Sequence, residues 1–119
     1  MDGELSTARL RELLTDDPSP TVVDIRAPRA FRRGHIPGSV NVPFRQLPDR
    51  VAELADADRI VTVCPHGKSS VQAAKLIASY EGTGDATVES LAGGLQEWDG
   101  EMASEVGGTQ VDEGPEAPF

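Results

Sequence analysis

The chain has 119 residues, enough for one compact domain with its own core. It carries 11 Lys and Arg against 20 Asp and Glu, a net charge of −9, which excludes a nucleic-acid binder built on a basic, counterion-displacing stripe. Its single cysteine excludes an internal disulfide and a thiolate zinc cluster.

Taken in chain order, the first predicted element is a short helix capped by Ser6, with Leu10, Leu13 and Leu14 facing inward. The run DDPSP, Asp16 to Pro20, ends it. TVVDI, Thr21 to Ile25, is β-branched and reads as a buried strand. APRAFRRG follows as a charged helical turn anchored by Phe31, then SVNVP, Ser39 to Pro43, as a second strand. PFRQLPDRVAELAD reads as one helix with Pro48 near its start. RIVTVC, Arg59 to Cys64, is the clearest strand, and Ser69 to Tyr80 the clearest helix. ATVESL is a further strand, followed by GGLQEW. Strands alternating with helices at short spacing predict an α/β domain with a mostly parallel sheet. Residues 1–102 are expected to form it, and the acidic, Gly- and Pro-rich stretch 103–119 to be a poorly ordered tail. No apolar run reaches membrane-spanning length, and MDGELSTARL is not a secretory leader, so a cytoplasmic, reducing setting away from membranes is expected.

The lone thiol of Cys64 stands where a strand ends and a helix begins, in VTVCPHGKSSVQAA. Ligands of parallel α/β sheets bind at such carboxyl ends. Ser69 and Gln72 have capping-box spacing, which predicts a helix N-terminus at Ser69. The first amides of a helix lack partners inside it, and its dipole is positive there. The loop from Cys64 through Pro65, His66, Gly67, Lys68, Ser69 and Ser70 is therefore expected to bind anions. Gly67 eases the backbone and Lys68 adds positive charge. A thiol held there is expected to ionise readily and act as a nucleophile. The plain alternative is an inert buried cysteine. With only two histidines, no metal site is expected.

Four segments resemble the rhodanese-like sulfurtransferase family over about residues 4 to 100: VVDIR (Val22 to Arg26), GHIPGSVNVP (Gly34 to Pro43), VCPHGKSS with Cys64 at the catalytic position, and LAGGLQEW (Leu91 to Trp98). The resemblance implies a five-stranded, mostly parallel sheet flanked by helices. It implies an enzyme without cofactor in which the Cys64 thiolate takes sulfur from thiosulfate or a protein persulfide. The resulting Cys64 persulfide passes it to cyanide or a thiol, such as that of a thioredoxin-like protein. Where many family loops are basic, Pro65 and Ser69 stand here, and Pro65 also lacks an N–H. A donor less charged than thiosulfate is therefore expected. Ala30 replaces the glutamate often found before the aromatic of the second segment.

The remaining polar residues have plainer readings. Asp24 is expected to support the strand end, and His35 to anchor a loop rather than act as a base. His66 reads equally as a substrate contact and as an exposed side chain. Arg29, Arg32 and Arg33 share helical spacing and form either a docking cluster, with Arg29 supporting the site, or a solvated face. A cysteine phosphatase is disfavoured because Ser70 stands where C-x5-R needs arginine. The competing non-enzymatic reading is a rhodanese-like interaction or redox-sensing module.

Overall fold

The computed structural model describes residues 1–104. Five strands form one sheet: β1 (Glu4–Leu5), β2 (Thr21–Asp24), β3 (Val40–Asn41), β4 (Arg59–Val63) and β5 (Thr87–Leu91). Their order is β1-β5-β4-β2-β3, and every pairing is parallel. The helices are α1 (Thr7–Leu13), α2 (Pro28–Arg33), α3 (Leu47–Arg50) and α4 (Ser69–Ser79). This is the α/β architecture expected from the alternation of elements.

Strand alternation divides the core. Val23 and Ile60 face a cluster with Leu47, Val51, Leu54, Ala73, Ala74, Ile77 and Cys64. Val22, Val61 and Val63 face the opposite cluster with Leu5, Leu10, Leu13, Ile36 and Leu91. Period-two side chains on central strands thus bury both faces, as a parallel sheet requires. β4 lies between β2 and β5 with four residues in register on each side, which places its carboxyl end in the middle of the sheet.

Several local expectations change. β1 is two residues long and has too little pattern to be read from sequence. The expected helix over 43–56 is a 3-10 turn at Phe44–Gln46, the single turn α3, and a second 3-10 turn at Val51–Leu54. Pro48 has no N–H to continue a helical ladder, and Arg50 sits at φ −117°, ψ 0°, off helical values. Leu47, Val51 and Leu54 still reach the core. Ser6 caps α1 as expected, its Oγ accepting from the Arg9 amide at 3.1 Å. Backbone pairing runs to Ala103, which exchanges two hydrogen bonds with His35. Most of the expected tail, residues 105–119, lies outside the described residues. Among the described residues no helix is long and apolar enough to cross a membrane.

Candidate active site

The loop from Cys64 to Ser70 joins β4 to α4. Cys64 is the one cysteine and is buried, with 2% of its surface exposed. The Gly67 amide donates to its Sγ at 3.1 Å and the Ser70 amide at 3.3 Å. Ser70 Oγ lies 3.3 Å from the sulfur and 2.7 Å from Ser90 Oγ. Ser70 is itself held, since Thr62 Oγ1 donates to its carbonyl at 2.6 Å. Buried side chains from β4 and β5, Thr62 and Ser90, thereby fix the Ser70 hydroxyl beside the Cys64 sulfur.

The capping box is not formed. Ser69 is the first residue of α4, the preceding cap position is Lys68, and no side chain caps the helix there. The Ser70 amide, an orphan donor of the first turn, is instead directed at the Cys64 sulfur. The sulfur occupies the place of a capping oxygen.

Burial pushes the Cys64 thiol up. Hydrogen bonds from the Ser70 hydroxyl and from the amides of Ser70, His66 and Gly67 pull it down harder, leaving it below its ordinary value of 9.0. Lys68 is exposed and is not among these causes. The expected electrostatic help from Lys68 is thus supplied by backbone dipoles and one hydroxyl.

The turn after β5 explains why the loop amides point inward. Leu95 N–H donates to the Cys64 carbonyl at 2.9 Å and Gln96 N–H to the Pro65 carbonyl at 3.0 Å. With its carbonyls drawn outward, the loop turns its following amides toward the sulfur. Contact there is backbone against backbone. A Cβ on Gly94, at φ +67°, would stand 2.5 Å from the Gly67 nitrogen and 2.6 Å from the Pro65 carbonyl carbon. Gly67, at φ +81°, would bring a Cβ within 2.7 Å of the Gly93 nitrogen. The Gly93–Gly94 pair is the clamp of this loop.

An open cleft of about 420 Å³ lies over the site, lined by Ile25, Arg26, Ala27, Ala30, Phe44, Cys64, Pro65 and Ser69. Its walls are mainly apolar. A larger groove of about 850 Å³ lies between α1 and Trp98, whereas Cys64 lines the smaller cleft.

The predicted site residues divide. Cys64, Pro65 and Ser69 line the cleft, and Gly67 and Ser70 hold the sulfur from behind. His66 and Lys68 are exposed on the loop. Asp24 is buried and supports the end of β2: it accepts from the Arg26 amide at 3.0 Å and pairs with the Arg26 guanidinium at 2.8 Å. Arg29 is exposed on α2 and stays outside the cleft lining; Arg26 lines the cleft instead. Arg26 is held by Asp24 and by the Gly34 carbonyl, at 2.6 Å. His35 stacks on Phe31 at 3.8 Å between ring centroids, with Nδ1 2.7 Å from the Phe31 carbonyl, away from the sulfur. The sequence signal for Ser90 and Thr62 was absent, because they are short polar residues inside strands. Among the described residues no cluster of His, Cys, Asp or Glu has the geometry to hold a metal ion.

Comparison with known proteins decides the family. The model of the rhodanese-like domain matches residues 6–101. The chain belongs to the rhodanese-like family. Its relatives include a protein of Pseudomonas aeruginosa named thiosulfate sulfurtransferase GlpE. That protein is 44% identical over 78 residues, which cover 65% of this chain and 67% of the relative. The putative sulfur carrier protein YrkF of Bacillus subtilis is 28% identical over 97 residues, 82% of this chain and 51% of that protein. The chain thus spans about half the length of YrkF. A solved rhodanese-related protein of Thermoplasma volcanium superposes with a TM-score of 0.72, covering 84% of this chain and 96% of that one. At 24% identity the likeness speaks to the rhodanese-like fold.

Proposed function

We propose that this rhodanese-like domain is a sulfurtransferase that carries sulfur as a persulfide on Cys64, in a reducing compartment. The observation that carries the reading is a sulfur held 3.1 Å from the Gly67 amide and 3.3 Å from the Ser70 amide at the start of α4. That arrangement stabilises negative charge on sulfur. The Cys64 thiolate attacks the outer sulfur of the donor, forming one S–S bond. The donor's own bond to that sulfur breaks and its electron pair leaves with the donor, as sulfite from thiosulfate or as a thiolate from a persulfide. The product persulfide is also an anion, so the same amides serve both states. An acceptor thiolate or cyanide then takes the outer sulfur, and Cys64 is restored as thiolate.

The cleft favours a donor with little charge. Among the described residues its only cationic lining residue is Arg26, already bound to Asp24 and Gly34. Thiosulfate is a dianion and needs several aligned donors. A persulfide donor loses less in this site. Intact-mass measurement after incubation with each donor tests the reading. The expected result is one added sulfur atom on the parent and none on Cys64→Ser. Equal sulfur transfer by Cys64→Ser would overturn it, and a parent that takes no sulfur from either donor would favour the interaction module.

A further inference from the structure

Charge along the chain is segregated. Residues 25–48 hold five arginines and no acid, whereas residues 76–119 hold ten acids and no Lys or Arg. The structure sharpens this division. Among the described residues Arg9, Arg11, Arg26, Arg50 and Arg59 are each paired with a carboxylate. Arg29, Arg32, Arg33, Arg45, Lys68 and Lys75 are exposed and have no such pair among the described residues. All but Lys75, farther along α4, stand on or next to segments that line the Cys64 cleft. Arg29, Arg32 and Arg33 lie on α2, whose Ala30 lines the Cys64 cleft. Arg45 follows the cleft residue Phe44, and Lys68 precedes Ser69. None of the described residues lining the cleft is acidic. Phe44 is among the few large apolar side chains left exposed.

We infer that this basic rim around an apolar cleft is a docking face for an acidic segment of a partner protein that presents a cysteine to Cys64. The inference rests on the sulfurtransferase reading and names the partner's chemistry. A small donor anion does not need five dispersed cations; a carboxylate-rich surface does. With the other arginines paired and Lys75 standing alone, the rim is the strongest attraction for such a surface on an otherwise acidic molecule, which steers encounter and sets orientation. In transfer to the docked cysteine, its thiolate attacks the outer sulfur of the Cys64 persulfide. The S–S bond to Cys64 breaks, the electron pair returns to Cys64, and no oxidant is required.

The test separates docking from chemistry. Two synthetic peptides of equal length each carry one cysteine, flanked by glutamates in one and glutamines in the other. Fluorescence anisotropy on full-length Cys64→Ser protein reads binding with no sulfur transfer. The glutamate peptide should bind about tenfold tighter at low salt, since an exposed ion pair is worth a few-fold and several form. The preference should shrink as salt rises. It should vanish in Arg33→Glu/Arg45→Glu, whose two sites are exposed and away from the sulfur, and fall partway in Arg33→Gln/Arg45→Gln. Equal binding of the two peptides, or a preference that survives the double reversal, would overturn the docking face. A rim already held by the chain's own acidic residues 105–119 would show as no binding of the glutamate peptide, and that also overturns it. Failure of Cys64 to take up sulfur leaves the binding result intact and counts against the sulfurtransferase reading alone. Where the persulfide does form, its transfer to the glutamate peptide should be faster by a similar factor.

Discussion

At Cys64 a sulfur does the work of a helix cap, and its neighbour Ser69 is thereby released from that work. Ser69 is exposed, lines the cleft and makes no capping bond. Arginine can therefore replace it at a stability cost within about 0.5 kcal/mol, the usual range for a surface site. Ser69→Arg should raise the initial rate with thiosulfate about tenfold relative to a persulfide donor, the worth of one charge-assisted hydrogen bond. Parallel rate measurements on parent and variant check this. An unchanged donor preference would mean that loop charge does not set donor choice. Ser70 is the opposite case. It is buried, and its hydroxyl and amide both reach the sulfur. Ser70→Ala should slow Cys64 alkylation at neutral pH about tenfold by removing one such bond, and leave Ser90 without its 2.7 Å partner.

At the level of elements, the site is made where two connections meet: β4 to α4, and β5 to the 3-10 turn Leu95–Glu97. Gly94→Ala tests this meeting. The added methyl collides with the Cys64–Gly67 backbone and must displace the loop. Sulfur loading should fall about a hundredfold, as small misplacements of reacting groups do. The core strands should be retained, which circular dichroism would show. Full loading by Gly94→Ala would mean that the Gly-Gly turn does not position the nucleophile.

The same elements show what was legible beforehand. β2, β4, β5 and α4 announce themselves by β-branched runs and period, and Cys64 by its place between them. The sequence presents Ser69 as a cap because S-x-x-Q is a local signature; the competing acceptor, a sulfur five residues earlier, is visible only in three dimensions. The role of Gly94 depends on a contact across about thirty residues of chain, beyond any local pattern. Arg29 looked like the supporting arginine from spacing, whereas the backbone turn after β2 brings Arg26 to the cleft through Asp24.

For the whole molecule, the lowered Cys64 thiol couples chemistry to folding. Its proton is released at lower pH in the folded chain than in the unfolded one. The unfolded chain thus binds more protons between the two values, and stability rises with pH across that window. This contribution is complete above the unfolded value and is lost as pH falls through the folded one. The difference in unfolding free energy between parent and Cys64→Ser should therefore grow in the parent's favour as pH rises to about 9 and then level off. Denaturant titrations at several pH values check it, and parallel curves for the two proteins would contradict it.

The central claim is that backbone amides and Ser70 at the start of α4 hold Cys64 as a thiolate. The rate of Cys64 alkylation against pH measures this most directly. The account predicts a midpoint below the ordinary thiol value of 9.0, shifted upward in Ser70→Ala. It also predicts little change with salt, because the holding groups are buried hydrogen-bond donors rather than the exposed Lys68 charge. A parent midpoint at or above 9.0, or one that Ser70→Ala leaves in place, would contradict it.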